Sequence, residues 1–385
     1  MNDTEESFFE GKRPWSRIKD RILGNYMRPY LRKVSILRRP ILIADCFAGP
    51  GSFADGAIGS PLIICSEAES QVRGGYAAVF VNSNEAHHAK LTEVLRGFID
   101  AGSAMPILGN AQDFLASLNT ISDNSTVLVY LDPFGLKGCE FNTIAAILNR
   151  GSDLSTEILI NMSMPTLHRL AARNSVAGGN IDGDSIKWRH NLLTSTLGGD
   201  FWKDVMFAKE LSAQQREAEV MEEYRARLKT ILPFAGSCPI QEARASRVKY
   251  YMTFCSRHPD AMTLMNDIML DSYFGYLSDL DEEDIPLFKG SLHWKDDHKL
   301  QVHDRLKSIV WSYIDKSPGH IRNKIWEMIV ENHFMAFRKS EYHAVVDELF
   351  AEGLIDTPTL RATKRLNDNC VLIPGRREDY PGLDR

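Results

Sequence analysis

Neither a disulfide framework nor a zinc module is written into this chain. Its six cysteines (Cys46, Cys65, Cys139, Cys238, Cys255, Cys370) are scattered over 385 residues with no Cys-x-x-Cys pair, so reduced thiols are expected. Long apolar runs are also missing. No stretch of about 18 apolar residues occurs, and the opening MNDTEESFFEGKRPW carries acids where a signal peptide needs a basic start. The expectation is a cytoplasmic protein without a membrane partner. A large net charge is lacking too: the formal value is -6, which argues against a nucleic-acid coat and leaves room only for local nucleic-acid contact. Internal repeats and low-complexity stretches are absent. Among eleven histidines, His293, His298 and His303 recur five apart. On a helix turning ~100° per residue that spacing sends each side chain to a new face, so no metal site is expected.

What is present is an ordinary globular composition, 44% hydrophobic and 25% charged, in a chain long enough for two domains. The first forty residues concentrate base, including Arg13, Arg17, Lys19, Arg21, Arg28, Arg32, Lys33, Arg38 and Arg39, readable as a solvated helix face or as a phosphate-binding patch. Within them Trp15, Ile18, Ile22, Tyr26 and Tyr30 are spaced by three and four, an amphipathic helix that Gly24 and Pro29 are expected to bend or divide. Five apolar runs then alternate with helical segments: ILIADCF, YAAVFVN, MPILGN, STVLVYLD and TEILINMSM. This order predicts an α/β fold with a mostly parallel sheet covered on both faces. Residues 175–235 read as a helical insertion, suited to a lid, before a closing hairpin formed by a strand near 238–243 and VKYYMTFCSR. From about 301, three helices and an alternating extended stretch have the order of a winged-helix module. Its presumed recognition helix carries Glu341, Asp347, Glu348 and Glu352, while Arg361, Lys364 and Arg365 stand where a wing would be. A packing or protein-protein role is favoured over DNA reading. The expected divisions are 1–40 (helical segment), 41–300 (core), 301–375 (α+β module) and 376–385 (tail).

Ligands on parallel sheets bind beyond the carboxyl ends of the strands. Four polar clusters fall there: DCFAGPG (45–51), NSNE (82–85), GNAQD (109–113) and DPFG (132–135). The first cluster is no Walker loop, because no basic residue follows Gly51 until Arg73. As a dinucleotide fingerprint it is weak, since Ala54 takes the third glycine's place and the acid stays unexplained. S-adenosylmethionine fits better, having an amino group for an acid at the strand end and no phosphate. Asp45, Phe47, Ala48, Gly49 and Gly51 are expected around its methionine end. Asn82 or Glu85 is expected on the ribose, and Asn110 and Asp113 near adenine, with a helix cap as the other reading of Asp113. In the last cluster, Asp132 and the Pro133 carbonyl would accept hydrogen bonds from an amine while Phe134 stacks on a planar acceptor and Gly135 makes the turn. The cluster resembles the D-P-P-Y type motif of methyltransferases that act on exocyclic amino groups.

Taken together, Trp15 with IKDRILGNYMRPYL, ADCFAGPGSFADGAIGSPL, YLDPFG and YYMTFCSRHPDAMTLMND resemble the three-Cys-motif partner protein family over roughly residues 13–275. That resemblance implies a Rossmann-like class I methyltransferase domain and a partner protein with three cysteines of radical S-adenosylmethionine type. An S-adenosylmethionine-dependent transfer to a nucleobase amino nitrogen of RNA or DNA is the leading expectation. The rivals are a catalytically inactive scaffold serving that partner, and a nucleotide hydrolase that the missing Lys and Ser or Thr disfavours.

Overall fold

The computed structural model describes residues 12–173, 183–242, 247–284, 293–358 and 366–375. The expected wing residues Arg361, Lys364 and Arg365, the tail 376–385, and the side chains of His293 and His298 lie outside the described residues. The chain divides between Ala261 and Met262 into two compact units.

The first unit opens with helix α1 (Pro14–Ser35). Its stripe of Trp15, Ile18, Ile22, Tyr26 and Tyr30 is buried as the spacing predicts. Contrary to expectation, α1 runs through Gly24 and Pro29 without division. Tyr26, Met27, Tyr30 and Leu31 are all buried around Pro29, so packing on both sides of it outweighs the lost backbone donor. Gly24 instead permits close packing, since a Cβ there would lie 3.4 Å from Ile63 Cγ2.

Strands β1 (Ile41–Asp45), β2 (Ala77–Asn82), β3 (Ala104–Leu108), β4 (Thr126–Leu131) and β5 (Thr156–Ser163) are mutually parallel. They are linked by α2 (Ser60–Val72), α3 (Glu85–Val94), α4 (Arg96–Asp100), α5 (Ala111–Ile121) and α6 (Phe141–Leu148). After β5 come α7 (Met164–Ala171), α8 (Gly183–Leu197), α9 (Trp202–Phe207) and α10 (Ala213–Lys229), then β6 (Phe234–Gln241) and β7 (Val248–Ser256). The sheet order is β3-β2-β1-β4-β5-β7-β6, and β7 is antiparallel to both neighbours. Every residue of β1, β4 and β5 is buried, as a sheet covered on both faces requires. This is the Rossmann-like sheet of class I methyltransferases, closed by the expected hairpin. Leu193, Leu197, Trp202 and Tyr224 of the inserted helices belong to the same core as Val129, Ile158 and Ile160 of the sheet. The insertion is therefore a layer of the fold, where the sequence pattern suggested a lid.

The second unit holds most of α11 (Pro259–Asp284), then α12 (His293–Lys316), α13 (Arg322–Asn332), α14 (Lys339–Ala351) and a short antiparallel pair, β8 (Ile355–Asp356) with β9 (Ile373–Pro374). An isolated bridge joins Ile321 to Val371. Buried Asn266 donates to the Phe337 carbonyl at 2.8 Å and accepts from Met335 N at 2.7 Å, fixing the turn before α14. The acids of α14 do not form a bare anionic face: Glu341 pairs with Arg338, Asp347 with Arg322, Glu348 with Lys307 and His303, and Glu352 with Lys307.

Candidate functional site

The sheet order reverses between β1 and β4, and the loops leaving neighbouring strands there part to opposite sides. Beyond those strand ends lies a cavity of about 880 Å³ whose lining includes residues 46–53, Asn82, residues 109–112 and residues 132–135. The four sequence clusters thus meet at one place. Within them, Phe47, Ala48, Gly49, Gly51, Asn82, Asn110, Asp132, Pro133, Phe134 and Gly135 line the cavity, whereas Asp45, Glu85 and Asp113 do not.

Asp45 is wholly buried beneath the loop. Its Oδ1 accepts from Phe47 N at 3.2 Å and its Oδ2 from Ser60 Oγ at 2.6 Å. Burial pushes its pKa up to about 7 against the pull of those two donors. Asp45 therefore shapes the loop from behind Ser60, a lining residue, and does not itself reach the cavity. Further along, Ala48 N donates to the Val81 carbonyl at 3.0 Å and Gly59 N to the Gly51 carbonyl at 2.9 Å. Gly51 has φ +84, and a Cβ there would sit 3.1 Å from Val94 Cγ1. The positive φ strains any side chain at Gly51, and one there would also need Val94 to give by a few tenths of an ångström.

Asn82 ties two strand ends together. Its Nδ2 donates to the Ala48 carbonyl, and its Oδ1 accepts from Asn84 N at 2.7 Å. Glu85 is exposed at the start of α3, and His87 of the same turn lines the cavity in its stead. At β3, Asn110 caps α5 by accepting from Asp113 N at 2.9 Å, and its Nδ2 donates to Asp113 Oδ2 at 2.5 Å. Asp113 thus stands in the cap of α5, with Asn110 as the capping residue.

The turn after β4 carries the sharpest surprise. Asp132 Oδ1 accepts from Asn161 Nδ2 at 2.7 Å, and Oδ2 accepts from Lys19 Nζ at 2.6 Å and from the Tyr130 hydroxyl at 3.3 Å. Gly135 N closes the turn on the Pro133 carbonyl at 2.8 Å, with Gly135 at φ +126, and Phe134 is 65% exposed. Sequence reasoning missed Ser16, Lys19, Asp20, Ser60, Lys137, Arg169 and Tyr250, all of which line the cavity. Lys19 did leave a signal: it falls four residues after Trp15 and three before Ile22, a charged residue on an apolar stripe. Asp20 pairs with Lys12, yet burial lifts its pKa to about 6.

All six cysteines are unpaired and buried. Among the described residues there is no cluster of metal-ligating side chains and no helix long and apolar enough to cross a membrane. The basic N-terminal stretch is partly spent on internal pairs, Arg28 with Glu67, Lys33 with Asp260 and Arg39 with Asp153.

No protein-family model and no curated protein sequence matches the chain. Among solved structures it is similar to YhhF from Escherichia coli, assigned as a methyltransferase, at 22% identity over 36% of this chain and 69% of that one, with a TM-score of 0.24. It is also similar to a spermidine synthase in complex with the transition-state analogue AdoDATO, at 9% identity over 68% of this chain and 65% of that one, with a TM-score of 0.36. A third likeness is to a protein of Staphylococcus aureus assigned as a caffeoyl-CoA O-methyltransferase, at 10% identity over 60% of this chain and 82% of that one, with a TM-score of 0.30. With each of these TM-scores below 0.5, the fold assignment stands on the order and direction of the strands in the sheet itself.

Proposed function

We propose that this chain is an S-adenosylmethionine-dependent methyltransferase whose acceptor is an amino nitrogen of a nucleobase. The observation that carries the reading is the convergence of the 46–51 loop and the 132–135 turn on one cavity at the strand ends where the sheet order reverses. The fit of the cofactor rests on the cradle itself: Gly49 and Gly51 bring backbone to the cavity wall, where they are joined by Ser60, which is hydrogen-bonded to the buried Asp45 carboxyl. Loop residues 47–51 would hold the methionine end, Asn82 the ribose and the backbone of 109–111 the adenine. When bound, S-adenosylmethionine supplies an electrophilic methyl on a sulfonium, which passes to nitrogen as the carbon–sulfur bond breaks with its electron pair left on sulfur.

The chain's own part is orientation. Asp132, held on one side by Asn161 and on the other by Lys19, accepts an N–H of the acceptor, and Phe134 stacks on its ring. The substrate loses the departing proton to solvent at the cavity mouth. A second reading, a catalytically silent scaffold for a three-Cys-motif partner, is favoured by one observation: both oxygens of Asp132 are already engaged. The part of the second unit from α12 onward, with three helices, a bridge at Ile321 and a terminal β pair, we read as a winged-helix-like module for packing or protein contact.

Calorimetric titration with S-adenosylhomocysteine tests the cofactor reading, with micromolar binding expected in the wild type and at least a tenfold loss in Asp45→Ala, roughly one charged hydrogen bond. Turnover with radiolabelled methyl on cell RNA, DNA and protein separates the two readings. Asp132→Ala is expected to abolish transfer and leave S-adenosylhomocysteine affinity nearly intact; equal loss of both would refute the division of roles.

A further inference from the structure

Helix α1 reaches the acceptor turn, and what it brings there is unusual. Ser16 and Lys19 line the same cavity as residues 132–135. Lys19 is only 4% exposed, its Nζ lies 2.6 Å from Asp132 Oδ2, and the Tyr250 ring centroid is 5.0 Å from the same nitrogen. One hydrogen bond leaves an ammonium group with further N–H donors. Ser16 Oγ is buried without a hydrogen-bond partner, and so is Asn161 Oδ1 on the far side of Asp132. Buried polar atoms are ordinarily paired, and an orphan on a cavity lining, as Ser16 Oγ is, marks where a ligand atom would complete it.

We infer that Ser16 and Lys19 form, with Asp132, a subsite for a neutral amine bonded next to a hydrogen-bond-accepting ring nitrogen or carbonyl, and that Lys19 excludes cationic amines. The inference rests on the methyl-transfer reading and narrows its substrate class. The argument is one of charge. Two acids line the cavity, and both are paired: Asp132 with Lys19, and Asp20 with Lys12, while Asp45 lies wholly buried behind Ser60. A lysine side chain, an arginine side chain or a polyamine would enter as a second cation beside a buried ammonium, with no unpaired carboxylate on the cavity lining to receive it. The exocyclic amine of adenine, cytosine or guanine is neutral and sits beside a ring atom that accepts hydrogen bonds. Its N–H meets Asp132, and the neighbouring acceptor atom accepts a hydrogen bond from Lys19 or Ser16. The arrangement reads an edge with donor and acceptor side by side, which an alkyl amine lacks.

The test offers the full-length protein radiolabelled S-adenosylmethionine with three acceptors: a mixed-sequence single-stranded RNA oligonucleotide, polylysine and spermidine. Wild type is expected to label the oligonucleotide alone. Lys19→Met should lower kcat/KM on it by about 10- to 100-fold, the loss of a charged hydrogen bond, with S-adenosylhomocysteine affinity unchanged. Lys19→Arg, which keeps the charge, should recover most of that loss, a rescue that a purely structural role would not give. Relative labelling of polylysine and spermidine should rise in Lys19→Met. Two results overturn the subsite and leave the methyltransferase reading standing: preferential labelling of polylysine or spermidine by wild type, or wild-type rates on the oligonucleotide in Lys19→Met. Failure of wild type to bind S-adenosylhomocysteine together with no label on any acceptor has a different signature, and refutes the cofactor reading and this inference together.

Discussion

At the scale of single residues, Asp45 ties stability, and on the proposed reading cofactor affinity, to pH. Burial raises its pKa from 3.8 to about 7, and Glu157, buried under the Tyr26 hydroxyl 2.5 Å away, is raised from 4.5 to about 7 by the same cause. A carboxyl raised in this way stabilises the fold in full below its ordinary range, and that contribution is lost as pH climbs through its folded value. Thermal denaturation of the empty protein is therefore expected to show a melting temperature falling by several degrees between pH 5 and pH 7, with a shallower fall in Asp45→Asn. Binding of a ligand with a cationic amino group runs the other way, because the ionised form of Asp45 attracts it. Affinity for S-adenosylhomocysteine should rise with pH below 7 by up to about tenfold per unit and level off above. The identity of Asp45 was legible in sequence because an acid closing an apolar run is conspicuous. Its geometry was not, because the donor that takes its second oxygen, Ser60, lies fifteen residues on, and no periodicity links the two.

At the scale of elements, the alternation of strands and helices was readable through the first five strands because β1, β2 and β4 are apolar along nearly their whole length and are bounded by polar turns. Strand order was legible only as a class; the placement of β7 between β5 and β6 is a long-range pairing. The reach of α1 to the 132–135 turn was invisible for the same reason, although Lys19 on an apolar stripe was its trace. In the second unit the helices fall where the periodicity put them, but the acids of α14 gave a false impression. Sequence shows their charge and not their partners, which come from α12, α13 and the residue before α14. Arg322 illustrates the weight of such partners. It is 2% exposed, and its guanidinium donates to the Leu366 and His343 carbonyls at 3.1 and 2.8 Å and pairs with Asp347 at 2.9 Å. Arg322→Ala is expected to lower the stability of this unit by about 2–4 kcal/mol, since it leaves buried carbonyls unpaired. Urea denaturation followed by fluorescence of buried Trp326 would measure it, and a loss under about 0.5 kcal/mol, the level of an ordinary surface substitution, would show the network to be ornamental.

At the scale of the whole molecule, a net charge of -6 confines any polyanion contact to a local patch. Lys137 and Arg169 are exposed cations on the cavity lining near exposed Phe134. Among the described residues, the Arg169 guanidinium donates only to the Thr166 hydroxyl, at 3.5 Å. If a single-stranded nucleic acid presents its base to Asp132, these two groups meet flanking phosphates. The double variant Lys137→Ala/Arg169→Ala is expected to weaken oligonucleotide binding and to reduce the slope of log affinity against log salt by about 1.4, or 0.7 per lost phosphate contact. Fluorescence anisotropy across a salt series reads both quantities, and an unchanged slope would remove these residues from the interface.

The antiparallel β7 also sets a timetable for synthesis. Strand β5 is eight residues long and buried along its whole length, and its second neighbour in the sheet is not β6 but β7, the last strand of this sheet to be translated. Tyr26 of α1 likewise packs edge-on against Phe254 of β7, with ring centroids 5.3 Å apart. Until residue 256 has cleared the ribosome, one edge of β5 has no partner strand. A nascent chain halted between β5 and β7 therefore carries an unpaired, apolar template for association with its neighbours.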